Sequence, residues 1–157
     1  MNLQELSSFE LERVFTDGIC PEPQNLIGSW KGIFLPFIER APLPFKNLLT
    51  FAVSKTWGNI WKGKEIFIDQ KTNKIKGLNI IYPSLKTLSF DVKKVRSRVD
   101  SGDAVEFDYS SHIHPFGFIR DEVRLVKGSE EQKLIGIMFL ESSFWRFPII
   151  FFGLERL

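Results

Sequence analysis

From residue 63 to residue 156 the chain is a succession of short segments that alternate apolar with polar residues, separated by brief polar turns. A side-chain period of two marks a half-buried strand, and connections this short join antiparallel neighbours. Lys64 to Asp69 and Lys76 to Tyr82 flank the turn Lys71-Thr72-Asn73-Lys74. Leu88, Phe90 and Val92 then hold even positions while Val95, Ser97 and Val99 hold odd ones, a change of parity that predicts a bulge near Lys93-Lys94. Asp100-Ser101-Gly102-Asp103 reads as a turn with Gly102 in its positive-φ position. Val105, Phe107 and Tyr109 alternate with Glu106, Asp108 and Ser110. Phe118 to Lys127, Lys133 to Leu140 and Phe147 to Arg156 complete the series, the last two apolar on both faces.

The earlier part of the chain supplies one more strand and two helices. Ser7 and Glu10 form a capping box, with Leu6 and Leu11 placed as a hydrophobic staple around it. Leu11, Val14 and Phe15 share a face of that helix, and Gly18 stops it. Cys20-Pro21-Glu22-Pro23 is a connector, because two prolines suit neither a helix nor a central strand. Asn25 to Phe34 reads as the first strand, with the Trp30 indole between Gly28 and Gly32. Past Pro36, Pro42 and Pro44, the residues Phe45, Leu48, Leu49, Ala52, Val53 and Thr56 form a stripe that predicts a helix over 44–57, closed by Gly58. At 157 residues this is a single domain spanning 1–157, and its 16 Phe and 4 Trp imply a large apolar interior. The expected architecture is mainly β: about eight antiparallel strands in a barrel, an N-terminal helix, a helix inserted after the first strand, and room for one small ligand.

Gly28-Ser29-Trp30, on a first strand that follows a short helix, resembles the Gly-x-Trp motif of the lipocalins and the wider calycin group of barrels. The resemblance implies that Trp30 closes one end of a lipocalin-like barrel and that an Arg of the last strand packs on its indole. Arg156 is the first choice for that Arg and Arg146 the second. The helix over 44–57 departs from the lipocalin plan, whose main helix follows the barrel. Trp61-Lys62-Gly63-Lys64, Gly77-Leu78-Asn79, Asp100-Ser101-Gly102, Phe107-Asp108-Tyr109-Ser110 and Ile119-Arg120-Asp121-Glu122-Val123 also resemble a bacterial family to which no activity is attached, which implies one intact domain.

Several function classes are disfavoured by what the sequence lacks. No apolar run reaches the ~18 residues of a membrane-spanning helix, and Met1-Asn2-Leu3-Gln4-Glu5 has neither the basic head nor the apolar stretch of a secretory signal. Cys20 is the single cysteine, so an intrachain disulfide and a cysteine metal cluster are out. A cytoplasmic location is the expectation. His112-x-His114 offers two metal ligands where three or four are needed, so neither metal nor other cofactor is expected. Residues 51–99 carry 11 basic and 3 acidic groups, but without a groove-fitting helix or exposed aromatic platforms they predict no nucleic-acid binding. Transient contact with a membrane surface stays open as an expectation.

The candidate site is drawn from strand parity and aromatic clustering. In a strand, Arg120, Glu122 and Arg124 share one face, while Ile119, Asp121, Val123 and Leu125 share the other. Either the ladder lines the lumen, where two guanidinium groups around one carboxylate leave a charge for an anionic head group, or it is a solvated outer row of salt bridges. Glu106 and Asp108 also share a face, and the apolar parity of Val105, Phe107 and Tyr109 sends both acids outward. Trp30, Trp57 and Trp61 flank the first strand and the inserted helix as a candidate pocket rim, joined by Tyr109. The expected function is binding of a small apolar, lipid-like and optionally anionic ligand in the barrel. The alternative is an isomerase or hydrolase of a lipid-like substrate that uses Glu122 or Asp108 with a neighbouring Arg or His. A third reading is an interaction module whose barrel is filled by its own Phe side chains.

Overall fold

The computed structural model describes residues 1–37, 60–112, 116–130 and 132–157. Strands β1 (Gly28–Phe37), β2 (Trp61–Asp69), β3 (Lys74–Ile81), β4 (Leu85–Arg96), β5 (Asp103–Asp108), β6 (Ile119–Leu125), β7 (Lys133–Glu141) and β8 (Arg146–Arg156) close into a barrel in sequence order. Each strand is antiparallel to the next, and β8 returns to β1 with Arg156 opposite Trp30. The expected helix over 44–57, Trp57 and His114 all lie outside the described residues.

Helix α1 (Ser8–Thr16) forms where the sequence places it. The Ser7 hydroxyl accepts from the Glu10 amide at 3.3 Å, and the Glu10 carboxylate accepts from the Ser7 amide at 2.8 Å, satisfying donors that have no partner within the helix. Leu11 and Phe15 on its inner face are fully buried, each worth about 1.5 to 3 kcal/mol of transfer free energy. They lie on the outside of the barrel, against Ile135, Ile137, Phe139 and Phe151. That covered outer wall explains why β7 and β8 are apolar on both faces. A second core lies within the lumen, with Trp30, Ile66, Phe90, Val105, Phe107, Val123, Leu134 and Phe152 among its members.

Three local expectations change. The first strand begins at Gly28 rather than Asn25, because Pro23–Leu26 is a 3-10 turn that drives Leu26 into the lumen core. The pairing of β4 with β5 runs unbroken from Asp91 to Arg96, so no bulge interrupts Lys93-Lys94. The register shifts instead between β3 and β4, where Leu88 takes a φ of +48°, and Val95 simply faces outward, half-buried, near the strand end. In the 100–103 turn the positive φ falls on Ser101, at +61°. Gly102 is small for another reason: a Cβ there would stand 2.7 Å from Nη2 of Arg124.

Candidate functional site

One end of the lumen is sealed. The Trp30 indole is fully buried and donates to the Leu26 carbonyl at 2.8 Å. The Arg156 guanidinium lies 4.5 Å from its ring centroid and donates to the carbonyls of Ile27 and Asn25, which ties the 3-10 turn across the opening. Arg146, the second choice, is at the far end of β8, against Phe139 and Glu141.

The opposite end, where β1, β3, β5 and β7 finish and their partners begin, holds a cavity of about 310 Å³. Its walls are Phe34, Trp61, Leu88, Phe116, Ile119, Met138, Leu140, Ile150 and Phe152. Four polar residues, Lys64, Asn79, Tyr109 and Asp121, complete the lining, all nearly inaccessible. Each comes from a different strand or strand end at an inward parity. Trp61 precedes Gly63, whose φ of +143° and close approach to the Trp30 carbonyl let β2 shift register between the two. Gly32 on β1 is empty space for the Trp61 ring, since a Cβ there would sit 2.5 Å from it.

The four polar residues form one network. The Lys64 ammonium donates to the Asp121 carboxylate at 3.0 Å, the Tyr109 hydroxyl at 2.6 Å and Oδ1 of Asn79 at 2.9 Å. Tyr109 donates to Oδ2 of Asp121 at 3.2 Å, and Nδ2 of Asn79 donates to the Tyr109 oxygen at 3.0 Å and the Leu88 carbonyl at 3.2 Å. The Trp61 indole donates to Oδ1 of Asn79 at 3.1 Å. Rings of Trp61, Phe90, Phe107, Tyr109 and Phe152 surround the ammonium with centroids 4.9 to 5.6 Å away. Burial pushes Lys64 below its ordinary range against the pull of Asp121, and burial together with that carboxylate pushes the Tyr109 phenol well above its own.

Of the residues singled out from sequence, Trp61 and Tyr109 line this cavity, and Trp30 sits at the sealed end. Arg120, Glu122 and Arg124 do not face the lumen; Ile119, Asp121, Val123 and Leu125 do. The ladder is not a solvated row either, because α1 and the 97–103 segment cover it, leaving Glu122 and Arg124 buried. Glu122 accepts from the Ser97 hydroxyl at 2.6 Å and from Nη1 of Arg98 at 3.1 Å. Arg120 reaches Asp108 at 3.2 Å and Glu141 at 3.5 Å. Arg124 forms a two-pronged pair with Asp100 at 2.7 Å. The spare positive charge expected of the ladder is therefore matched by acids on the outer wall. Glu106 and Asp108 face outward, as the parity of β5 predicts, onto Arg98, Lys93 and Arg120. Hydrogen bonds from Lys93 and Ser110 overcome the cost of burial and hold Asp108 at about 2. Nε2 of His112 donates to the Ser89 carbonyl at 2.7 Å, and the described residues gather no group of three metal-ligating side chains.

Sequence reasoning missed Lys64, Asn79 and Asp121 as a site. The available signal was a polar residue on an otherwise apolar inward face, repeated on three strands: Lys64 beside Ile66, Asn79 beside Gly77, and Asp121 between Ile119 and Val123.

No protein-family profile and no curated protein matches this chain. Among solved structures, the chain is similar to one described as "Crystal structure of protein from Thermomonospora curvata", with a TM-score of 0.55 and 21% identity over 98% of this chain and 89% of that one. A likeness at that identity concerns the fold. No helix among the described residues is long and apolar enough to cross a membrane.

Proposed function

We propose that the protein is a lipocalin-like carrier that binds one small apolar ligand in the cavity between Trp61, Met138 and Phe152. The observation that carries this reading is the cavity itself: about 310 Å³ of space inside a closed barrel, walled by apolar side chains around a small polar base. Small-molecule sites have this composition and begin at about this size, ~300 Å³. A barrel filled by its own Phe side chains would have no such space. The calycin kinship in the proposal is supported by Trp30 and Arg156, whose packing across the sealed end is what the Gly-x-Trp resemblance implies. The enzyme alternative loses its named acids, since Glu122 and Asp108 lie on the outer wall; Asp121 would have to replace them. Exposed Phe144 and half-exposed Trp145, in the β7–β8 connection at the cavity end, support transient contact with a membrane surface during ligand exchange in a cytoplasmic setting.

The test is a titration with N-phenyl-1-naphthylamine, an uncharged apolar fluorophore. The wild-type protein should give a saturable one-site rise in emission. Met138→Trp, which fills the cavity with an indole, should abolish it while leaving the unfolding temperature within a few degrees. A wild-type protein that shows no saturable binding overturns the reading.

A further inference from the structure

We propose that the cavity selects an apolar ligand whose polar end is an uncharged hydrogen-bond donor, an alcohol or a phenol, received by Oδ1 of Asp121. The inference rests on the binding function proposed above and replaces the anionic head group expected from the arginine ladder.

The hydrogen-bonding groups of the polar base are almost all spent on one another. An ammonium has three N–H donors, and those of Lys64 point at three acceptors within the protein. The Tyr109 hydroxyl gives its proton to Asp121 and accepts from Lys64 and Asn79, which exhausts it. Both amide protons of Asn79 are given away, and its oxygen accepts twice. The single indole N–H of Trp61 is likewise engaged. Both bonds that Asp121 accepts fall on Oδ2, so among the described residues Oδ1 accepts none. Asp121 lines the cavity, so the unfilled capacity there is an acceptor with no donor to match. A carboxylate ligand would bring more acceptors to a site with no free donor among the described residues, and would set its charge beside that of Asp121. An ammonium ligand would duplicate Lys64, which already neutralises Asp121 at 3.0 Å, and would set two cations together out of water. A hydroxyl fits without either penalty.

Isothermal titration of the intact protein with four probes of one chain length tests this: 1-octanol, 1-methoxyheptane, octanoate and octylammonium. Octanol should bind about tenfold to a hundredfold tighter than the ether of equal size, the range for one hydrogen bond to a charged acceptor. Octanoate and octylammonium should bind more weakly than octanol. The inference is overturned if the ether equals octanol, if either ion binds tighter, or if octanol fails while N-phenyl-1-naphthylamine binds; in each case the apolar-binding reading stands wherever a probe saturates. Failure of every probe, the naphthylamine included, removes both. In the double variant Lys64→Met, Asp121→Leu, the preference for octanol over ether should fall to a few-fold while the ether affinity is kept, because the charged acceptor is gone and only the neutral oxygens of Asn79 and Tyr109 are freed in its place; a preference of undiminished size also overturns the assignment.

Discussion

Arg124 shows how one residue can hold an element in place without touching the cavity. Its Nη1 donates to the carbonyls of Phe15 and Thr16 at 3.1 and 3.2 Å, among the α1 groups that have no partner in the helix, and its Cζ lies 4.8 Å from the Phe15 ring centroid. Nε donates to the Asp103 carbonyl at 2.9 Å, and Nη1, shared with the helix carbonyls, grips Asp100 together with Nη2. Arg124→Met should therefore cost about 3 kcal/mol in urea denaturation, the lower end for breaking a buried pair, because Asp100 keeps some contact with water. The hydrogen bonds from Arg124 hold the Asp100 carboxyl below its usual range. A carboxylate with a lowered folded-state pKa gives stability that is complete above about pH 4 and is lost as the pH falls through the lower folded value. The wild-type advantage over Arg124→Met should accordingly shrink on acidification; an advantage that stays constant would assign it to the helix carbonyls instead. The sequence separates the two faces of this strand correctly, Arg120, Glu122 and Arg124 on one and Ile119, Asp121, Val123 and Leu125 on the other. It does not say which face is inside, because α1 buries the outer one as thoroughly as the lumen buries the inner. Ion pairs that the strand alone leaves unbalanced are completed by Arg98 and Asp100 from the far end of the neighbouring hairpin, where the Ser97 hydroxyl also donates to Glu122.

At the scale of the strands, glycine decides where backbones meet. Gly63 has a φ of +143°, and a Cβ on it would lie 1.9 Å from the Trp30 carbonyl oxygen and 2.8 Å from the Gly32 nitrogen, so both conformation and space exclude a side chain. Gly63→Ala should cost ~3 kcal/mol or more, since β1 must move off β2 and take Trp61 and the cavity wall with it. Gly128→Ala makes the control: φ is +78° there but nothing lies within 4 Å, so only the backbone term of about 1 kcal/mol applies. Equal denaturation midpoints for the two variants would refute the close approach. The strand count, the antiparallel order and the Ser7–Glu10 cap are readable from period and capping chemistry because those signals are local. The bulge is not: Val95 is an apolar residue on a partly wet outer face, and it imitates the parity change that Leu88 makes through its backbone. The 3-10 turn at Pro23–Leu26 is hidden for a related reason, since Asn25 to Phe34 stays apolar enough to pass as one strand while Leu26 is serving as the plug.

Among the described residues two cores are separated by one wall of sheet, and the cavity with the polar base lies in the inner one. The outer core under α1 and the sealed end at Trp30 and Arg156 hold the barrel closed, which leaves the Lys64–Asp121 pair free of any need to stabilise it. Two charges taken out of water recover their hydration only through their mutual attraction and hydrogen bonds, and an apolar pair of similar volume generally does as well or better. Lys64→Met alone should leave the buried Asp121 carboxyl without its cation and cost about 3 to 5 kcal/mol, and Asp121→Leu alone should cost a similar amount by stranding Lys64. The double variant should recover most of that cost, falling short of the wild type by the ~1 to 3 kcal/mol of a Tyr109 hydroxyl proton that Asp121 no longer accepts, while Asn79 still donates to Tyr109 at 3.0 Å. Urea denaturation of the four proteins measures the coupling directly. Costs that add in the double variant would make the network a structural strut, and the octanol preference would then need another origin. Recovery of most of the stability with a fall in that preference would place the pair where its geometry puts it, at the base of a cavity whose walls supply affinity and whose one open oxygen supplies selectivity.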